Sequence, residues 1–160
     1  MVYSREGRIT DENIVQLKDG EVFVFGSNES GIHGAGAAKE AKNKFGAIEG
    51  KGWGPSGDSF AIATKGWDLS VIPLKAIECY VGRFVGYALL NPKKRFLVTQ
   101  IGCGLAGYKP DDIAPLFAGV DVVENISLPQ CFWDVIDKVY KEDIIKYMLI
   151  EDDDGQKNEL

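Results

Sequence analysis

The stretch that decides the fold is EVFVFGSNESGIHGAGAAKEAKNKF, from Glu21 to Phe45. It begins with four apolar residues, Val22 to Phe25, which predict a short strand buried on both faces in an α/β domain. Glycines among small and polar residues follow, where the backbone can turn tightly and approach a guest. From Ala35 to Phe45 the apolar spacing becomes helical. A strand, a glycine loop and a helix N-terminus together present free N–H groups to an anion, so this unit predicts a bound phosphate.

The composition favours a small ligand over a polymer. The chain has 160 residues, enough for one domain with a proper core, and 45% of them are apolar and 26% charged. The net charge of −6 disfavours nucleic acid as a partner, since nucleic-acid binding uses Lys and Arg contacts to phosphates. Backbone N–H groups can still hold a small anion without side-chain charge. A nucleotide-like small molecule is the expected partner.

Cysteine and histidine usage predicts neither a disulfide framework nor a metal site. Cys79, Cys103 and Cys131 are odd in number and widely spaced, and His33 is the only histidine. We therefore expect no metal and no cofactor. The first residues lack the apolar run of a signal peptide and no stretch has the length of a membrane span, so we expect a cytoplasmic protein with no membrane partner.

The remaining elements follow from capping residues and periodicity. Thr10 predicts a short helix through Leu17, and 46–57 predicts a hairpin-like or irregular segment. Ser59 to Thr64 is a second strand, with Lys65 directly at its end. Pro73 opens a long helix that stops at Asn91, and its Gly82 and Gly86 predict close packing against a neighbour.

A second unit resembles the first. Arg95 to Ile101 is a third strand, Gly102 to Tyr108 a second glycine loop, and Pro110 opens a helix running to about Phe117. In open α/β sheets both loops would lie at the carboxyl ends of the strands and face one crevice, which fits a diphosphate. The alternative is that the glycines only make tight turns. Neither common phosphate motif matches, because Lys39 replaces the third glycine of a dinucleotide fingerprint and Ala37-Ala38 replace the Lys-Ser/Thr of a Walker loop.

The C-terminal third predicts a strand over 124–128, an amphipathic helix from Phe132 to Tyr140 and a short apolar element over 144–150. These last apolar residues either pack onto the domain's own core or form a homodimer contact. We predict one domain over 1–150, with its core at about 21–129 and a helical extension at 130–150. An acidic disordered tail is expected over 151–160.

Four motifs resemble those of the macro domain family in order and rough spacing. They are Phe25 to Asn28, the loop from His33 to Ala38, Ala63 to Lys65, and Ile101 to Tyr108. The match is most similar to the branch that includes the terminal ADP-ribose protein glycohydrolase, and a bacterial or phage group of macro-domain-like proteins is also similar. The resemblance implies a three-layer α/β/α macro-domain-like fold around a mixed central sheet. It also implies a cleft for ADP-ribose, a related nucleotide or an ADP-ribosylated macromolecule.

The resemblance also implies roles for individual residues. Asn28 would lie near the distal ribose, Gly34 to Ala37 would border the diphosphate and that ribose, and Gly102 to Tyr108 would hold the diphosphate. The full set of expected ligand-binding residues is Gly26, Ser27, Asn28, His33, Gly34, Ala35, Gly36, Ala37, Thr64, Gly102, Cys103, Gly104, Leu105, Ala106, Gly107 and Tyr108.

Lys65 falls where the glycohydrolase branch has its nucleophilic lysine. A lysine partly desolvated at a strand end has a lowered pKa, and its neutral amine can attack the ribose anomeric carbon. The alternative is an ordinary lysine at the cleft rim that attracts phosphate. Ala106 stands where that branch has an aspartate, and Asp111 or Asp112 would replace it only if the loop turned one of them into the cleft. Binding is therefore favoured over hydrolysis, with an ADP-ribose-processing enzyme as the alternative.

Overall fold

The computed structural model describes the backbone of residues 5–155 and the side chains of 5–149. Its strands are β1 (Glu21–Asn28), β2 (Gly54–Ser56), β3 (Ser59–Lys65), β4 (Arg95–Val98) and β5 (Ile126–Ser127). Its α-helices are α1 (Gly36–Lys44), α2 (Leu74–Leu90), α3 (Pro110–Ile113) and α4 (Gln130–Gly155), with 3-10 helices over Ala114–Phe117 and Val120–Val122. The strands form one mixed sheet in the order β2-β3-β1-β4-β5, in which β2 alone runs antiparallel to its neighbour.

The sheet brings three chain segments to one edge. The central strand β1 is parallel to β3 on one side and to β4 on the other. Because parallel strands end at the same edge, the segments that follow Asn28, Lys65 and Val98 all leave the sheet there. At this edge the pairing shifts, so that Asn28 lies opposite Lys65 and Thr64 bulges out of register. A bulge of this kind re-aims a side chain, and Thr64 Oγ1 donates a hydrogen bond to Ser27 O at 3.2 Å.

Helices cover both faces of the sheet, so the α/β class is confirmed. Val22 and Val24 face the larger core, which α2, α3, α4 and the first 3-10 helix complete. Phe23 and Phe25 face the opposite way, towards the smaller core under α1. The alternation of a strand explains this arrangement, because successive side chains point to opposite faces. The prediction that β1 is buried on both sides is confirmed.

Most of the predicted elements are confirmed within a few residues. The segment before β3 is hairpin-like, since β2 and β3 are antiparallel neighbours. The third strand is shorter than predicted and ends at Val98. Thr99 N still donates to Val24 O at 3.0 Å, and the chain turns directly after it, where Ile101 N donates to Thr99 O at 2.7 Å. The helix predicted from Pro110 to Phe117 is divided between α3 and a 3-10 turn.

The predicted helix from Thr10 to Leu17 is wrong. The segment contains no helix, and at its start Ile9 forms a bridge with Leu128, just after β5, while Thr10 N donates to Leu128 O at 2.9 Å. The buried guanidinium of Arg8 holds the start of this segment in place. It donates hydrogen bonds to the carbonyls of Val120, Asp121, Val123 and Ile126. These long-range contacts outweigh the local capping signal.

The expected close packing at Gly82 and Gly86 is also wrong. A Cβ placed on either glycine would meet no atom within 4 Å among the described residues. Both positions therefore face open space on α2.

The C-terminal helix is longer than predicted, and its two parts differ. Up to Tyr140, α4 packs against the larger core through residues such as Phe132 and Ile136. Further along, Ile144 and Met148 are exposed, so this part does not pack onto the domain's own core and the predicted homodimer contact stays a prediction. The helical backbone continues to Gly155, whereas disorder was expected from 151; the rest of that tail, 156–160, lies outside the described residues. No helix between residues 5 and 155 combines the length and hydropathy needed to cross a membrane.

Candidate functional site

A cleft of about 550 Å³ opens at the edge of the sheet where β1, β3 and β4 end. Its walls come from the end of β1 with the first glycine loop, the end of β3, and the second glycine loop. The lining residues are Gly26, Ser27, Asn28, Ile32, Gly34, Ala35, Gly36, Ala37, Ala38, Thr64, Lys65, Leu69, Thr99, Gln100, Ile101, Gly102, Gly104, Leu105 and Ala106. The prediction that both glycine loops face one crevice is confirmed.

Two glycines in the cleft lining allow close packing around the start of the second loop. A Cβ on Gly26 would lie 3.3 Å from the backbone nitrogen of Gly102. A Cβ on Gly102 would lie 2.8 Å from Ile113 Cδ1, and Gly102 has a φ of +71°. A side chain at Gly26 would press on the backbone of Gly102, and one at Gly102 would press on Ile113 in α3, so here the glycines permit packing as well as a turn.

The first loop presents the uncapped N-terminus of α1. The N-cap residue is Ala35, which has no side-chain oxygen, and no acidic residue lies in the first turn. The first N–H groups of a helix have no acceptor within the helix, so those of Gly36 to Ala38 are available at the cleft wall. They also lie at the positive end of the helix dipole.

The second loop contributes amides in another way. Within the described part of the chain, the N–H groups of Gly104, Leu105 and Ala106 make no backbone hydrogen bond. All three residues line the cleft, as do the first residues of α1. Each of the two loops therefore brings unpaired amide donors to the cleft lining.

Asn28 lines the cleft and also fixes the shape of the first loop. Its Oδ1 accepts hydrogen bonds from Ile32 N at 2.9 Å and from Ser30 Oγ at 2.8 Å. Its Nδ2 donates to Ile32 O at 2.9 Å. The side chain thus closes the turn between β1 and the glycines. Its expected place beside a distal ribose stays a prediction.

His33 does not line the cleft, contrary to its place among the expected ligand-binding residues. It is 2% exposed and packs edge-on against Phe25, with ring centroids 5.3 Å apart. Its Nε2 lies 3.0 Å from Ser27 Oγ, so it supports a cleft residue from behind. Burial lowers the pKa of His33, and Glu49 opposes this effect in part. The imidazole is therefore neutral at pH 7.

Three residues of the second loop also lie away from the cleft surface. Cys103 packs against the larger core, and burial raises the pKa of its thiol to about 11. Tyr108 Oη donates to Ile72 O at 2.8 Å, and Gly107 N donates to Gly104 O at 3.0 Å. These residues hold the loop in place, which leaves Gly102, Gly104, Leu105 and Ala106 at the wall.

Lys65 is half-buried and carries the only charge among the described residues that line the cleft. Ala106 also lines it, so the position where the resemblance would place an aspartate is an apolar part of the wall. Asp112 Oδ2 accepts a hydrogen bond from Lys109 N at 3.0 Å, and neither Asp112 nor Asp111 reaches the cleft. The described residues thus give the cleft a lysine without a carboxylate partner.

Sequence reasoning missed several lining residues and a second cavity. Ile32, Ala38, Leu69, Thr99, Gln100 and Ile101 complete the cleft. A neighbouring cavity of about 400 Å³ shares Gly36, Ala37 and Thr99 with it. Glu12, Ile14, Phe23 and Glu40 form the rest of its lining. Glu12 was missed because its segment was predicted to be a helix, whereas the position of Thr99 just after a parallel strand was a usable signal.

No protein-family model matches the chain, and no curated protein or solved structure matches it either. The resemblance to macro domains therefore depends on the four motifs alone.

Proposed function

We propose that this protein is a macro-domain-like module that binds ADP-ribose or a related nucleotide diphosphate. The observation that carries the proposal is the cleft of about 550 Å³, whose lining includes both glycine loops. Unpaired amides on both walls suit an anion with two phosphates, because each phosphate oxygen accepts several hydrogen bonds. The ammonium of Lys65 adds a positive charge, and no carboxylate among the described lining residues would repel the ligand.

The diphosphate would bind between the first turn of α1 and the Leu105-Ala106 amides. The base would enter the neighbouring cavity, where Phe23 and Ile14 provide an apolar surface and the carboxylate of Glu12 or Glu40 can accept a hydrogen bond from an exocyclic amine. The distal ribose would then lie towards Asn28 and Lys65, at the other end of the cleft.

Calorimetry with ADP-ribose tests the proposal. We expect saturable binding, with AMP much weaker because it lacks the second phosphate and the distal ribose. Flat traces with ADP-ribose at high protein concentration would refute the proposal.

A blocking variant with a matched control extends this test. Gly34 lines the cleft, and a Cβ there would meet nothing within 4 Å, so Gly34→Val should narrow the cleft without disturbing the fold. Gly82 has equally open surroundings on α2, far along the chain from both loops, and Gly82→Val is the control. We expect at least a tenfold loss of ADP-ribose affinity for Gly34→Val alone, with both variants folded by circular dichroism.

A second candidate is an ADP-ribose-processing enzyme, and the position of Lys65 in the cleft wall favours it. Its neutral amine would attack the ribose anomeric carbon and displace the attached group, which would take one amine proton with it. The bond between that carbon and the ring oxygen would then break, with the second amine proton moving to the ring oxygen, to leave an imine. The lack of a carboxylate partner makes this candidate weaker, because general acid-base catalysis typically contributes about 10²–10⁴-fold.

Borohydride trapping tests the enzyme candidate. If it is correct, reduction in the presence of ADP-ribose should label the protein, Lys65→Ala should abolish the label, and Lys75→Ala on the exposed side of α2 should keep it. Labelling that survives Lys65→Ala would exclude Lys65 as the nucleophile.

A further inference from the structure

Three aromatic side chains form a cluster beside the cleft, which we call the aromatic rim. Trp53 and Trp67 have ring centroids 6.5 Å apart and nearly perpendicular planes, at 87°. Trp53 also contacts Tyr80, with centroids 6.0 Å apart. Trp67 is 66% exposed and Trp53 is 39% exposed. Leaving two large indoles exposed to water is unfavourable compared with burying them. Exposed apolar patches of this kind mark binding surfaces.

The turn that carries Trp67 is closed by its own hydrogen bonds. Gly66 N donates to Ser70 O at 2.8 Å, and Asp68 Oδ1 accepts from Ser70 N at 3.0 Å. Leu69 has a φ of +65°, a left-handed conformation that is uncommon for a bulky residue. Strained residues of this kind persist where the surrounding structure fixes them, often at ligand sites. Trp67 is therefore presented on a defined turn.

The aromatic rim adjoins the cleft through residues next to it in the chain. Trp67 lies in the chain between Lys65 and Leu69, both of which line the cleft. On the other side, Tyr80 Oη donates to Glu29 Oε1 at 2.9 Å, and Glu29 N donates to Lys65 O at 2.9 Å. The cluster is thus joined to the ends of both β1 and β3. None of the three aromatic residues lines the cleft or the neighbouring cavity, but the cluster lies next to Lys65 and Asn28, whereas that cavity shares Gly36, Ala37 and Thr99 with the cleft.

We infer that the aromatic rim stacks a second planar ring, so that the natural ligand is a dinucleotide with a ring at each end of its diphosphate. This inference rests on the proposed function. One ring enters the neighbouring cavity, the diphosphate lies between the loops, and the ring attached to the distal ribose packs on Trp67. Stacking on an indole requires only a flat π face, which every nucleobase and the nicotinamide ring possess.

The net charge and the size of the patch favour a single ring over a polymer. A strand of nucleic acid needs a row of cations along its phosphates, and this chain has a net charge of −6. Two perpendicular indoles provide one face and one edge, which is enough for one ring.

The test compares ADP-ribose with NAD⁺, which differ by the nicotinamide ring on the distal ribose. Stacking of a base on an aromatic side chain predicts about tenfold tighter binding of NAD⁺ than of ADP-ribose by calorimetry. Trp67→Ala should reduce NAD⁺ affinity to the level of ADP-ribose and leave ADP-ribose affinity unchanged, whereas Trp67→Phe should keep part of the difference. Leu89→Ala removes an apolar side chain that is 58% exposed on α2, and it should change neither affinity.

Each other outcome is decisive. If ADP-ribose binds and NAD⁺ binds no more tightly, the inference is wrong and the proposed function stands. If the NAD⁺ preference survives Trp67→Ala, the aromatic rim is not the site of the second ring. If neither compound binds to the wild-type protein, the proposed function fails, and the inference fails with it.

Discussion

The two strand, glycine loop and helix units have nearly the same sequence pattern, but they present their amides differently. In the first unit, α1 is nine residues long and begins at the cleft without a side-chain cap. In the second unit, α3 is four residues long, and Asp112 already accepts a hydrogen bond at its start. The first unit therefore offers a helix N-terminus to an anion, whereas the second offers only the amides of its loop. A shared pattern predicts where the chain turns, but the cap decides which donors stay free.

The glycines of the two units also differ in role. Gly34 and Gly36 in the first loop face open space, so their lack of a side chain leaves room for a guest. Gly102 in the second unit is wedged between the end of β1 and Ile113, where the lack of a side chain permits packing. Substitutions should therefore affect binding in the first unit and stability in the second.

The largest effect is expected for Gly102→Ala. The new Cβ would lie 2.8 Å from Ile113 Cδ1, and residue 102 has a φ of +71°. The cost of overpacking would therefore add to the cost of backbone strain. We expect a loss of about 2–4 kcal/mol in the free energy of unfolding, measured by urea denaturation. Gly104→Ala is the control, because its surroundings are open and its φ is not positive. Equal, small losses for both variants would contradict the assigned role of Gly102.

A smaller effect is expected for Ala35→Asp at the N-cap of α1. The substitution should raise the stability of the fold and lower its affinity for ADP-ribose. The carboxylate would accept a hydrogen bond from a free N–H group and stabilise the fold by about 1 kcal/mol. It would also compete with a phosphate for the same donors, so ADP-ribose affinity should fall about tenfold. Ala35→Ser separates capping from charge repulsion, since it caps without a charge. Undiminished affinity in both variants would show that the N-terminus of α1 does not bind the ligand.

The matched change in the second unit is Asp112→Ala. Removing the acceptor of Lys109 N should cost about 1 kcal/mol of stability and change ADP-ribose affinity less than twofold, because this helix start is already occupied. Asp111→Ala is the control for a lost negative charge, since Asp111 is exposed. A large affinity change for Asp112→Ala alone would mean that the two units act on the ligand alike.

The smallest effect is a pH dependence that belongs to the first unit. Burial lowers the pKa of His33 in the folded state, so the unfolded chain binds more protons as the pH falls below about 6.5. Stability should therefore be full above that pH and fall as the solution is acidified towards the folded-state pKa. Thermal melts of the wild type and His33→Gln between pH 7.5 and pH 5.5 measure it, and the variant should show a shallower fall. If the melting temperatures of both proteins fell equally with pH, His33 would be excluded as the cause. No other histidine could account for the effect, because the chain has only one.

Local patterns were sufficient for elements whose own residues carry the signal. The apolar run at Val22 to Phe25 and the spacing of Ala38, Ala41 and Phe45 correspond to β1 and α1 in the structure. The failures occurred where distant contacts decide. Thr10 has the residue type of a helix cap, but the carbonyls of Val120 and Ile126 hold the preceding Arg8, and no helix forms in this segment. The two glycine loops also contain predicted ligand-binding residues that do not line the cleft: His33, Cys103, Gly107 and Tyr108. Their side chains or amides hold the loops in place instead.

The sequence by itself determined the α/β class, the central buried strand and the two glycine bends that follow buried strands. These follow from periodicity and from backbone freedom, which are local properties of the chain. Only the tertiary structure decided that Glu12 and Phe23 form a second cavity beside the cleft, and that Trp53 and Trp67 lie together near the end of β3. The reason is that strand order and register bring together residues that are far apart in the chain, and no local pattern records which of them will become neighbours.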